Sequence, residues 1–491
     1  MARLPLLIFP QPQIADRDKG HGGPSGISKP SIERQGERLG PKLSSLQRAF
    51  EARAVEVRQS TSGVDPEQVL VLEIIGRVER FATAVAKIPG LDWLSEIEIE
   101  EIAPDDDFYN SKNKDKQLGG RLYLLMSNQQ ALREMLTLWD RYQNDSSMKW
   151  PYGQTKFRDV FDLLHDIRRW GIEDRLNDTG ALEAWQEDLQ HYPNEPVKLE
   201  IELWFRKNAT KRRTAEESVA RLIQQAGGRL VSPACVIEEI AYHGILAELP
   251  VGEVERIIQD EATALVKCDS VMFFRPVGQI ATGKEQIEGD SELLAERDEK
   301  PLPSGDPVIA ILDGMPLENH DLLSGRLIVD DPDDFAPECP AVRRVHGTSM
   351  CSLVVYGDLS GGNRPLFRPV YVRPLMKPVE GLREPWPEEL PRDLLAMDLI
   401  HRTVRRIFEG DGNDPAIAPS VRIINFSIGD PSRPFFQLVS SSSRLAEPQV
   451  RCVICGQCRE SIGRCRSRRF RAGDSGNARR GAGGFGRQET L

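Results

Sequence analysis

Apolar and polar positions alternate in two distinct periods along this chain, and the periods mark its elements. Over the first third, Val69–Ile75, Glu96–Ile102 and Gly120–Met126 read as strands, with Arg77–Lys87 and Gln129–Tyr142 as helices. Residues 157–175 place apolar side chains at helical spacing and predict an amphipathic connector. The order then recurs: strand Val197–Trp204, helix Ala215–Ala226, strands around Gly228–Ile237 and Ile240–Leu249, helix Val251–Asp260, strand Val266–Phe274. A β-α-β-β-α-β order is the ferredoxin-like plan, so two α+β modules are expected, over 67–145 and 195–277. Residues 1–60 are read as a polar, extended arm on the strength of their Gly/Pro/Ser-rich stretch, and 150–192 as a helical connector.

After a linker over 278–304 the pattern changes. Val308-Ile309-Ala310-Ile311-Leu312 is a continuous apolar run that opens after a Ser-Gly-Asp-Pro turn and ends at Asp313. Such a run suits a strand buried on both faces of a parallel sheet. His346-Gly347-Thr348 opens a run of small and apolar residues that predicts a buried helix with His346 in its first turn. A helix over Leu394–Phe408 and a strand Val421–Gly429 follow.

Asp313 and His346 carry the candidate chemistry. A serine hydroxyl is a poor nucleophile at neutral pH; an imidazole must take its proton, and a buried carboxylate must fix the imidazole's tautomer. Open α/β sheets hold such carboxylates at the C-terminal edge of their strands. The strand ending Leu312-Asp313-Gly314, the following Asn319-His320-Asp321-Leu322, the His346-Gly347-Thr348 triplet and the strand ending Asn425-Phe426-Ser427-Ile428-Gly429 together resemble the motifs of the subtilisin-like serine peptidases, in their chain order. The resemblance covers roughly residues 306–434. It implies Asp313 and His346 as catalytic residues and the backbone of Ser427, Ile428 and Gly429 as a substrate-binding strand. It also implies that the ferredoxin-like module at 195–277 is similar to the inhibitory prodomains of that family. One departure is that Gly314 and Met315 stand where the family usually places Thr or Ser after its aspartate, which weakens the hydrogen bonding expected around Asp313.

No nucleophilic serine follows on an element of its own. Gly347-Thr348-Ser349-Met350 spells the family's serine motif, but Ser349 lies on the same helical turn as His346, whereas a nucleophile must approach the imidazole from elsewhere. His320 is read as structural and His401 as a surface residue.

Charge divides the chain sharply. Residues 444–491 hold eleven Arg, no Lys and four acids, a net of +7 that leaves −18 on the rest of a chain whose total is −11. Half of the eight cysteines fall in this tail, at 452, 455, 458 and 465. The Cys-x2-Cys-x2-Cys spacing has iron–sulfur or zinc character, but the fourth cysteine comes too late and no proline follows it. A basic arm for nucleic acid is a second reading. The third is translation out of frame. Shifted by one nucleotide at Arg444, the codons for Arg444–Glu460 permit Asp-Trp-Leu-Ser-His-Lys-Tyr-Gly-Val-Leu-Phe-Val-Val-Asn-Ala-Gly-Asn. That is a helix end, a buried strand and the Ala-Gly-Asn in which the family keeps its oxyanion-hole asparagine. A frameshift near residues 440–444 is therefore expected.

The remaining cysteines, at 235, 268, 339 and 351, are few and scattered, as in a reducing compartment. The acidic body argues against nucleic acid or an anionic membrane as partner, and no run is long and apolar enough for a membrane span. The expectation is thus an α/β chain: ferredoxin-like modules, then an incomplete subtilisin-like parallel-sheet catalytic domain over 305–439, then a disordered tail over 440–491. Its function would be that of a cytoplasmic serine endopeptidase without cofactor or metal. It would act on peptide or protein substrates, with its own N-terminal modules as inhibitor, and be inactive in this chain for want of a serine. The alternative is a non-catalytic protein that captures extended peptide at the Ser427–Gly429 edge.

Overall fold

The computed structural model describes residues 26–59, 67–144, 149–259, 262–277, 301–357, 364–379, 388–427 and 451–454. The chain divides after Pro276 into two compact units.

Among the described residues the first unit contains two larger antiparallel sheets and one two-stranded antiparallel pair. The N-terminal segment differs from the expected extended arm: beyond the short β1 (Ile27–Ser28), α1 (Ile32–Gln59) is a 28-residue helix despite Pro41 within it. Leu39, Leu43, Leu46 and Phe50 recur at helical spacing and are buried in the core of the first sheet. Each such side chain contributes roughly 1.5–3 kcal/mol by leaving water, which outweighs the cost of the proline. Gln35 fixes the helix from within, its amide donating to the carbonyls of Phe161 (2.8 Å) and Leu164 (2.9 Å).

The first sheet is built from β2 (Glu67–Ile75), β3 (Leu91–Ile102), β5 (Leu118–Asn128) and β6 (Leu164–Arg169), ordered β3-β5-β2-β6. Helices α2 (Phe81–Val85), α3 (Gln129–Asn144) and α4 (Lys156–Leu163) supply Phe81, Leu132, Trp139, Phe157 and Phe161 to its core, and β4 (Tyr109–Asn110) pairs with β1. The helical connector expected from Phe157 onward stops at Leu163, and the fourth strand of the sheet follows at once. The module therefore runs past residue 145 to Arg169. Phe157, Val160, Phe161 and Leu164 share helical spacing across that junction, so the pattern conceals it.

Helices α5 (Ile172–Leu176) and α6 (Ala181–His191) lead to the second sheet: β7 (Val197–Leu203), β8 (Arg229–Leu230), β9 (Cys235–Ile237), β10 (Tyr242–Leu249) and β11 (Val271–Pro276). Its order is β11-β7-β10-β8, with β9 also on β10; α7 (Ala209–Gln225) and α8 (Val251–Ile258) bury Val219, Ile223, Val254 and Ile257 against it. The two sheets are tied together. Trp170 packs edge-on to Trp204 and Phe273 and donates its indole N–H to the Met272 carbonyl at 2.9 Å. Arg206, nearly buried, bridges Glu67 at 2.6 Å and Asp92.

The second unit is a parallel sheet covered on both faces. Its strands are β12 (Ile309–Gly314), β13 (Leu327–Val329), β14 (Val370–Pro378), β16 (Ile423–Phe426) and β17 (Arg451–Ile454), ordered β13-β14-β12-β16-β17 with every pair parallel. A short β15 (Glu388–Glu389) adds to β14 antiparallel. Strict alternation along β12 divides its side chains. Ile311 meets Cys351 and Val355 of α9 (Val345–Tyr356), while Ala310 and Leu312 meet Leu399 and Ile407 of α10 (Ala396–Phe408). Burial on both faces explains why the strand reads as unbroken apolar sequence.

Two segments depart from or escape the sequence reading here. Within the expected tail, β17 is a strand paired to β16 in register Ile423↔Arg451 through Phe426↔Ile454. The remainder of the tail and residues 278–300 of the linker lie outside the described residues. No helix among the described residues is long and apolar enough to cross a membrane.

Candidate active site

The sheet order fixes where a site can form. From β12 the chain passes to β13 and β14 on one side, then crosses to β16 and β17 on the other. Open α/β sheets leave a crevice beyond the carboxyl ends of their strands at such a reversal. Asp313 is the penultimate residue of β12, at that end.

His346 enters the same place from α9. Its Nδ1 lies 2.6 Å from Asp313 Oδ1, a charge-assisted contact between residues thirty-three apart in sequence. Asp313 is fully buried, while the His346 side chain is 27% exposed, so the carboxylate lies behind the ring and the ring faces outward. Burial pushes the Asp313 carboxyl above its ordinary value, opposed by the hydrogen bond and charge of His346 and by the Gly314 N–H at 2.7 Å. Asp313 Oδ2 has no hydrogen-bond partner among the described residues, as expected where position 314 brings no side chain.

The His-Gly-Thr triplet has a local explanation for each member. Gly347 sits where a Cβ would stand 2.2 Å from the Gly314 carbonyl oxygen, so only glycine lets α9 approach β12 this closely. Thr348 accepts the Leu317 N–H at 2.9 Å and donates to the Arg344 carbonyl, tying the helix start to the loop after β12. Together they hold His346 over Asp313.

Glu388 was not singled out by sequence. Its carboxyl is buried; Oε1 accepts the His346 backbone N–H at 3.3 Å, and Oε2 lies 1.6 Å from where a Cβ on Gly314 would be. Burial, then the charge of Asp313, push it up to about 8. Only the missing side chain at position 314 hints at it, and a glycine does not say which distant residue fills the space.

The other candidates fall as follows. Ser349 donates to the Val345 carbonyl at 2.9 Å, one turn back along its own helix. His320 lies in the turn after β12, accepting the Leu322 N–H at 3.2 Å, and His401 is half-buried on α10. Ser427 donates to Asn425 Oδ1 at 2.7 Å; Ile428 and Gly429 lie outside the described residues. Cys235, Cys268, Cys339 and Cys351 form no disulfide with one another, and no group of three or more His, Cys, Asp or Glu suited to a metal ion occurs among the described residues. The last three tail cysteines also lie outside them.

No family model matches this chain, and no curated protein matches it.

Proposed function

We propose that the second unit is part of a subtilisin-like serine endopeptidase domain, in which Asp313 orients His346 as the general base of an Asp-His-Ser apparatus. The observation that carries this reading is the 2.6 Å contact between a fully buried carboxylate and Nδ1 of a partly exposed imidazole, at the carboxyl edge of a parallel sheet where its strand order reverses. With Nδ1 held by Asp313, Nε2 is the nitrogen that takes the proton of an attacking hydroxyl, and the carboxylate stabilises the imidazolium that forms. In this reading the backbone of Ser427, Ile428 and Gly429, which follow β16 in sequence, would pair with extended peptide.

The nucleophile and oxyanion donor belong, in this reading, to the sequence encoded in the shifted frame from Arg444. Support comes from β17: Arg451–Ile454 occupy the strand position beside β16, and the alternative frame places Gly-Val-Leu-Phe at those positions. Asp313 and His346 alone have nothing to activate, so this chain is inactive. The two antiparallel modules of the first unit have the ferredoxin-like strand order, which supports a prodomain-like inhibitory role for the second of them in a cytoplasmic peptidase.

The coding nucleotides for residues 440–460 test the frame directly. An open alternative frame encoding the Ala-Gly-Asn is expected; early stop codons in it would contradict the proposal. If the unit instead binds peptide without catalysis, His346→Ala leaves peptide binding intact and a re-encoded chain still fails to react with a fluorophosphonate.

A further inference from the structure

We infer that Glu388 is a positioning residue for the Asp313–His346 pair, its carboxyl reaching from β15 to do what a side chain at position 314 would otherwise do. The inference rests on the peptidase reading of that pair and adds a residue to it.

Three observations converge on Glu388. Its Oε2 occupies the volume of the absent Gly314 side chain, directly beside the residue that carries the orienting carboxylate. Its Oε1 accepts the backbone N–H of His346 itself, in the first turn of α9, where helix N–H groups lack intrahelical acceptors. And it is 1% exposed, held there by the pairing of Pro378 with Glu388 between β14 and β15. One carboxyl thus touches both halves of the pair: the backbone that follows Asp313 and the backbone of His346.

The charge state suits the role. Burial disfavours a charge here, and the neighbouring Asp313 carboxylate would repel a second anion, so the group is held up to about 8 and is mainly the neutral acid at pH 7. A neutral acid accepts through its carbonyl oxygen while its O–H can donate. Asp313 Oδ2, buried without a hydrogen-bond partner among the described residues, is an acceptor in need of such a donor. An acid at 388 satisfies the helix start without adding a charge that would compete with Asp313 for the imidazolium.

The alternative is that Glu388 only packs the end of β14. Low-field proton NMR of the full chain separates the two. An imidazole N–H held by a carboxylate gives a resonance that the His346→Gln variant assigns by its loss. Positioning predicts that resonance in the parent and in Glu388→Gln, which keeps the shape, the acceptor and a donor. It predicts loss in Glu388→Ala, loss in Gly314→Ser, whose side chain collides with the glutamate, and recovery when both changes are combined. The comparison of Gly314→Ser with the double variant stands even if Glu388→Ala alone fails to fold. An unchanged resonance in folded Glu388→Ala, loss in Glu388→Gln, or no recovery in the double variant overturns the inference. Absence of the resonance from the parent overturns instead the Asp313–His346 pairing beneath it.

Discussion

Gly347 in α9 lies against Gly314 at the end of β12, close enough that a Cβ on Gly347 would stand 2.2 Å from the Gly314 carbonyl oxygen. The obstacle is backbone, which cannot turn aside as a side chain can. Gly347→Ala is therefore expected to push α9 off the sheet, destabilising the second unit by about 1–3 kcal/mol. It should also lengthen the His346–Asp313 contact. Denaturant unfolding with the low-field His346 resonance as second probe checks both; a variant as stable as the parent would show that the helix is free to move.

Glu388 gives the second unit a pH dependence of definite sign. Its folded value is raised to about 8 while an unfolded glutamate titrates near its ordinary 4.5, so the folded state holds the proton more tightly. The stability this contributes is complete below the unfolded value and is lost as pH rises through about 8, at up to ~1.4 kcal/mol per pH unit. Urea midpoints from pH 5 to 9 should fall for the parent and fall less for Glu388→Gln. Parallel curves would mean that Glu388 already ionises at ordinary pH.

In the first unit, His165 sits between two carboxylates, its Nδ1 2.7 Å from Glu73 and its Nε2 3.3 Å from Asp105. The Glu73 hydrogen bond, against burial, raises its value, with Asp105 adding and the nearby Arg38 subtracting. The contribution is full below the ordinary histidine value and is lost as pH climbs through the raised one. His165→Gln should cost about 1 kcal/mol at pH 6 and much less at pH 9, measured by unfolding of the first unit. Equal cost at both would show that the neutral ring suffices.

Arg206 joins the two antiparallel sheets through Glu67 and Asp92. Burial alone would raise Glu67, yet the Arg206 and Lys211 hydrogen bonds hold it below its usual range. Arg206→Ala should cost roughly 2 kcal/mol, less than a fully buried pair because Asp92 is half exposed. Arg206→Lys should recover only part of this, since an ammonium lacks the planar fork with which Arg206 donates to both Glu67 oxygens and to Asp92 at once. Full recovery would leave only charge, not geometry, as the reason for arginine.

Much of this architecture is legible in sequence because burial writes itself as periodicity. The unbroken apolar β12 and the alternating strands of the first unit announce their environments, and Asp313 and His346 follow from the residue types their chemistry needs. What escaped depends on distant contacts. Leu39, Leu43, Leu46 and Phe50 are too diluted by charge and proline to declare α1, and β6 hides behind the helical spacing that precedes it. Glu388 could not be read at all, because a residue seventy-four positions away decides what fills the space above Gly314.

Asp313 and His346 are, in the proposed function, a working half of a serine peptidase site. The direct measurement is fluorophosphonate labelling of this chain beside one re-encoded in the shifted frame from Arg444. No labelling is expected here, whereas a serine in the re-encoded chain should be labelled, and about 10⁴-fold more slowly on Asp313→Asn. Labelling of Ser349 in this chain, or none in a folded re-encoded one, would contradict the proposed function.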